Sequence, residues 1–284
     1  MSLIIYRNFR NYKRCISLLQ RLSNVEHLTL LLAVDKKKNE PEHFIDGIAL
    51  EKDIVPYMPH LCRFSFHIRS IVRNARHITT DRIRQSFHKQ QQQAFDCALD
   101  YFTNKYGQCQ IYSLPFVGTR LDFISNRFPL FDGSNTFSNV TTLLLFDDVK
   151  PFESIFFERV AQYLPRLKTL EIINQLEQQE KTTAMKTDIT FDHLAVLILY
   201  DTHVNYAEQF LYRMNLSSLI ELVLGRDILW RIIAEKDERA RQNCSRVGTL
   251  HTFIPSDESN DLISNFFPLA CHRNCKPRED NRFV

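Results

Sequence analysis

The feature that most constrains this chain is a period. Val140-Thr-Thr-Leu-Leu-Leu-Phe146, Leu167-Lys-Thr-Leu-Glu-Ile-Ile173 and Leu194-Ala-Val-Leu-Ile-Leu-Tyr200 share the frame apolar-x-x-Leu-x-apolar. Leu219-Ile-Glu-Leu-Val-Leu224 is a shorter fourth copy. The central leucines Leu143, Leu170, Leu197 and Leu222 stand 27, 27 and 25 residues apart. A fixed spacing of this size is the sequence mark of stacked strand-and-helix units, none of which can bury its apolar face alone. The predicted fold class is therefore α/β. It is a leucine-rich-repeat-like solenoid with a parallel sheet on one side and helices on the other, in irregular repeats of about 25–30 residues or longer.

Weaker copies extend the pattern in both directions. Val25 to Leu32, Leu61 to Ile68, Cys109 to Leu114 and Val247 to Phe253 alternate with period two, as pleated strands do. Helical spacing is expected over Phe44 to Tyr57, Asp81 to Tyr106, 120–131, Pro151 to Pro165, Val204 to Met214, Asp227 to Arg241 and Asp257 to Phe267. In the longest of these Asp81 would be the N-cap and Gly107 the C-cap, with Gln90 to Gln93 on its exposed side. The expected organisation is one solenoid over residues 1–270: irregular repeats at 1–118, regular repeats at 119–254 and a capping helix at 255–270. Residues 33–43 and 175–188 read as exposed loops, and 271–284 as a flexible polar tail.

Composition excludes some classes. Only 6 glycines in 284 residues leave little material for phosphate-cradling loops. A net charge of +3 gives no electrostatic case for a nucleic-acid partner. No run reaches the ~18 apolar residues of a membrane span. Leu3 to Tyr6 is interrupted by Arg7 and Arg10, which breaks a secretory core. Seven widely spaced cysteines fit reduced, buried thiols and a cytoplasmic or nuclear location. The sequons at Asn139, Asn215 and Asn243 are then chance matches. Residues 1–25 hold Arg7, Arg10, Lys13, Arg14 and Arg21, which suits either a basic first helix, with Ile16, Leu19 and Leu22 inward, or a mitochondrial presequence.

Motifs that carry catalysis or cofactors are missing: no G-x-S-x-G, Walker A, G-x-G-x-x-G or H-E-x-x-H occurs. Cys271-His-Arg-Asn-Cys275 has thiols at a spacing that can reach zinc, but no second ligand pair is near in sequence. Asp147-Asp148 falls just beyond a strand, where a turn role outweighs catalysis. Scattered histidines such as His67, His193 and His251 read as surface or structural groups. No catalytic residue, metal ligand or cofactor site is assigned.

One constellation remains. Residues alternating with Leu143, Leu170, Leu197 and Leu222 must face the opposite side of the sheet. They form a row of Leu144, Glu171, Ile198 and Val223, and a second row of Phe146, Ile173, Tyr200 and Gly225. If uncovered, this ladder is an apolar patch suited to a protein partner on the concave sheet face. If a tail, a loop or a second helical layer lies over it, the sheet is simply buried on both sides.

The repeats resemble the leucine-rich-repeat domains of F-box proteins. They are most similar to the F-box and leucine-rich-repeat-like proteins of bdelloid rotifers. The resemblance is carried by Tyr112-Ser-Leu-Pro-Phe-Val-Gly-Thr-Arg-Leu-Asp-Phe-Ile-Ser-Asn-Arg127, Leu143-Leu-Leu-Phe-Asp-Asp-Val-Lys-Pro-Phe152 and Leu164-Pro-Arg-Leu-Lys-Thr-Leu170, and it covers roughly residues 20–270. Two features depart from that family. The F-box expected before the repeats has no counterpart, and Asp148, Gln175, Thr202 and Asp227 stand where the family places asparagines. The resemblance implies the substrate-recognition arm of a cullin-type ubiquitin ligase, a non-enzymatic protein-interaction module. An enzyme with a non-contiguous site and a decayed structural paralogue without a specific partner are the alternatives.

Overall fold

Residues 1–9, 12–35, 43–87, 94–132, 136–179, 189–252 and 260–274 are described by the structure, a computed structural model. The chain forms two compact units. One is residues 1–118 with 127–132, and the other is 119–126 with most of 133–282.

In the first unit, β1 (Ser2–Phe9), β2 (His27–Asp35) and β3 (Arg63–Arg73) pair in parallel. Then β4 (Phe95–Tyr101) and β5 (Tyr106–Ser113) join as an antiparallel hairpin, giving the order β1-β2-β3-β5-β4. One face carries Leu30, Phe66, Ile68, Cys97 and Ile111. They pack with α1 (Tyr12–Leu19), α2 (Gly47–Asp53) and α3 (Thr80–Gln85) through Leu19, Leu50 and Ile83. The other face is polar yet buried: His67, Arg69, Asp100, Gln108 and Gln110 are each at most 7 % exposed. His67 shares a 3.0 Å hydrogen bond with Gln110, and Gln108 donates to Asp100 at 3.2 Å. Partnering of this kind offsets the penalty of burying such groups.

The second unit is a parallel sheet whose strand order follows the chain. It consists of β6 (Arg120–Ile124), β7 (Thr142–Phe146), β8 (Thr169–Asn174), β9 (Val196–Thr202), β10 (Glu221–Leu224), β11 (Thr249–Thr252) and β12 (Cys271–Asn274). Helices α4 (Ser154–Tyr163), α5 (Val204–Glu208), α6 (Arg226–Glu235), α7 (Glu238–Cys244) and α8 (Asn260–Phe266) lie between them, and α5 runs into a π-helical turn at Gln209–Arg213. The predicted core holds. Leu143, Leu145, Leu170, Ile172, Leu197, Leu199, Leu222 and Leu224 are each 0 % exposed, a burial worth roughly 1.5–3 kcal/mol per side chain. Phe157, Tyr206, Phe210 and Leu229 from the helices are equally buried.

Several expectations are corrected. The single sheet expected across residues 1–270 is two sheets, because the β4–β5 hairpin introduces antiparallel pairing. The helix expected over Asp81 to Tyr106 ends at Gln85 and is capped by Thr79, whose hydroxyl accepts from the Arg82 amide at 3.3 Å. Phe95, Cys97, Leu99 and Tyr101 alternate toward the core instead, opposite Cys109 and Ile111, a pairing that local spacing cannot reveal. Gln90 to Gln93 lie outside the described residues. Gly107 is in β5, where a Cβ would stand 2.6 Å from that of Ala75. The helix expected at 120–131 is strand β6, bulged around Phe123, whose φ is 56°. The capping helix is shorter than 255–270, and Leu262 points outward at 53 % exposure while Ile263, Phe266 and Phe267 are buried. The tail begins as strand β12, and 275–284 lie outside the described residues, as do 36–42 and 180–188 of the expected loops.

Candidate functional site

The face of the second sheet turned away from the core leucines is set by strand register. Leu144, Glu171, Ile198 and Val223 align across β7 to β10, as the alternation predicts, and the row continues through His251 to Arg273. The second row breaks. Phe146 pairs with Ile173, but a register shift between Glu171 and Ile173 sets Ile173 against Asp201 rather than Tyr200. Tyr200 continues β9, and its side chain lies outside the described residues; Gly225 has left the sheet to cap α6.

Burial changes the meaning of these rows. Leu144, Phe146, Glu171, Ile173 and Ile198 are between 3 % and 8 % exposed, so the expected open apolar ladder is closed over most of its length. Exposure rises toward the C-terminal edge: Val223 and His251 are half-buried and Arg273 is exposed. His251 Nε2 stands 3.3 Å from Glu221 Oε1 on this open part.

A further row stays accessible from end to end. Arg120, Thr142, Thr169, Val196, Glu221, Thr249 and Cys271 pair in register across all seven strands, and none of them is buried. It is rich in hydroxyls rather than apolar, and Arg120 is held by Asp122 at 2.8 Å. Its sequence signal was the residue preceding each central leucine, which recurs with the same period as the leucines themselves.

The carboxyl ends of β6 to β9 form a second constellation. Asp147, expected in a turn, accepts from the Val149 and Lys150 amides through Oδ1 at 2.9 and 3.0 Å, closing that turn. Its Oδ2 accepts from the backbone and side-chain amides of Asn126. Asn174 donates to the Lys150 carbonyl at 2.8 Å and accepts from the Leu176 amide at 2.8 Å. Asn126, Asp147 and Asn174 thus make a polar ladder in which Asp147 and Asn174 stand one position nearer the strands than Asp148 and Gln175 had suggested, while Thr202, paired with Asn174, keeps its expected place. Beside it, Val149, Pro151, Leu176, Glu177, Gln178 and Gln179 line a cavity of about 530 Å³.

The buried cysteines are shifted by burial alone or mainly so. Desolvation pushes the Cys97 thiol up to about 11, and raises Cys15, Cys109 and Cys244 as well. That is the direction opposite to a reactive thiolate. His272 is lowered by desolvation and bonds Thr252 Oγ1 at 2.5 Å. Alternation along β12 turns Cys271 and His272 to opposite faces, so they do not converge on one ion. Among the described residues no group of three or more His, Cys, Asp or Glu is placed to hold a metal. No described helix is long and apolar enough to cross a membrane. No family model, curated protein or solved structure matches this chain.

Proposed function

We propose that the chain is a non-enzymatic protein-interaction module, its second unit a leucine-rich-repeat-like solenoid that binds a protein partner on the face opposite its helices. The supporting observation is the accessible row from Arg120 to Cys271, aligned across seven strands and widened at β10–β12 by Val223, His251 and Arg273. Hydroxyls, one carboxylate and two guanidiniums at regular spacing offer a polar, oriented surface rather than a reaction centre. The narrower form of the proposal follows the resemblance: the partner is a substrate presented to a cullin-type ubiquitin ligase.

A photo-crosslinking amino acid at Thr169 or Thr249, compared with one at exposed Gln162 on α4, tests the surface. In cell lysate the two sheet positions should yield a common crosslinked protein and Gln162 should not. Crosslinks equal at all three positions, or absent from the sheet positions, would sink the reading. Mass spectrometry of the captured material, scored for ligase adaptors, decides the narrower form.

A further inference from the structure

We infer a second, separate recognition site: the cavity at the carboxyl ends of β7 and β8 takes an apolar side chain from a peptide that carries lysine or arginine beside it. The volume of about 530 Å³ falls within the range of ligand sites.

The walls are held in place before any ligand arrives. Asp147 fixes Val149 and Lys150, and Asn174 fixes Leu176 while holding the Lys150 carbonyl. Asn126 donates to the carbonyls of Lys150 and Pro151 at 3.3 and 3.2 Å. Gln178 donates to the Phe152 carbonyl at 2.7 Å and to Gln209 Oε1 at 2.6 Å, and the Gln179 amide donates to Glu153 Oε1 at 3.0 Å. Two loops from adjacent strands are therefore tied together, which limits the ordering entropy that binding must overcome.

The chemistry of the lining selects the occupant. Val149, at 39 % exposure, with Pro151 and Leu176 supplies apolar surface. Glu177 is an exposed carboxylate in the wall, Asp148 and Glu153 flank it in the paired loop, and Lys150 is the one basic residue in 147–153 and 174–179. An apolar group with adjacent positive charge complements this arrangement, and a negatively charged one is repelled.

The probe is a fluorescein-labelled pentapeptide with leucine between two lysines, compared with versions flanked by glutamates or centred on serine. Fluorescence polarisation on the full chain should show saturable binding of the first peptide alone. Glu177→Lys should weaken it about fivefold, and Leu176→Ser should weaken it without changing its salt dependence. Both positions lie in a loop, and an unchanged thermal transition confirms that the variants fold. Equal binding of all three peptides, no binding at millimolar peptide, indifference to Glu177→Lys, or self-association of the chain through this face would overturn the assignment.

Discussion

Asp147 Oδ2 receives both amides of Asn126, the backbone N–H at 3.1 Å and the side-chain Nδ2 at 3.2 Å, while its Oδ1 closes the turn that follows β7. One carboxylate that is 2 % exposed thereby joins the ends of β6 and β7. Removing it leaves three backbone N–H groups without that acceptor.

Asp147→Ala should therefore lower stability by about 1 kcal/mol, toward the low end of the penalty for orphaned donors because these three are only part-buried. Urea denaturation followed by circular dichroism would show a lower midpoint with little change in slope. An unchanged midpoint would mean that water takes over the acceptor role at no cost.

Ile198→Asp separates surface from core on the same face. Ile198 is 8 % exposed, so a carboxylate there is desolvated and should cost about 3 kcal/mol or more. Thr169→Asp, in the accessible row, should stay within about 0.5 kcal/mol of the wild type. Comparing their melting temperatures checks this, and equal losses would contradict the burial difference between the two rows.

Thiol reactivity should divide the cysteines. Cys15, Cys97, Cys109 and Cys244 are buried, whereas Cys62 and Cys271 are exposed. With the Cys97 thiol at about 11, only about one molecule in a thousand carries the thiolate at pH 8. Brief alkylation of the native protein, read by peptide mass mapping, should label Cys62 and Cys271 and spare the other four until denaturant is added.

His272 gives stability a pH dependence of known sign. Its folded pKa lies below the ordinary 6.5, so near that pH the unfolded chain binds the extra proton. Its contribution is present above about 6.5 and is lost as the pH falls below that value. His272→Gln should flatten the decline in melting temperature between about pH 7 and pH 5. A decline as steep as the wild type's would assign the effect to other groups.

The sequence carried the eight core residues from Leu143 to Leu224 because each sits in a row whose neighbours are the same row one repeat away. It carried the alignment of Leu144, Glu171, Ile198 and Val223 for the same reason. What it could not carry is set by distant partners. Phe95, Ala98, Leu99 and Phe102 satisfy helical spacing as well as Phe95, Cys97, Leu99 and Tyr101 satisfy a strand, and only β5 decides between them. The shift that replaces Tyr200 by Asp201 opposite Ile173 has no local signature. Alternation says which face a side chain takes, but not whether that face is covered, so the apolar ladder and the accessible row of threonines looked alike in that respect.

The sequential order from β6 to β12 bears on how such a chain can change over time. Among the described residues each strand of this sheet is hydrogen-bonded only to the strand before it and the strand after it, so no backbone pairing between β6 and β10 depends on β12. Repeats could be gained or lost at the β12 end with little disturbance to those already stacked. The row that begins at Arg120 would lengthen or shorten in the same steps, so the reach of the proposed recognition surface could evolve independently of the core that supports it.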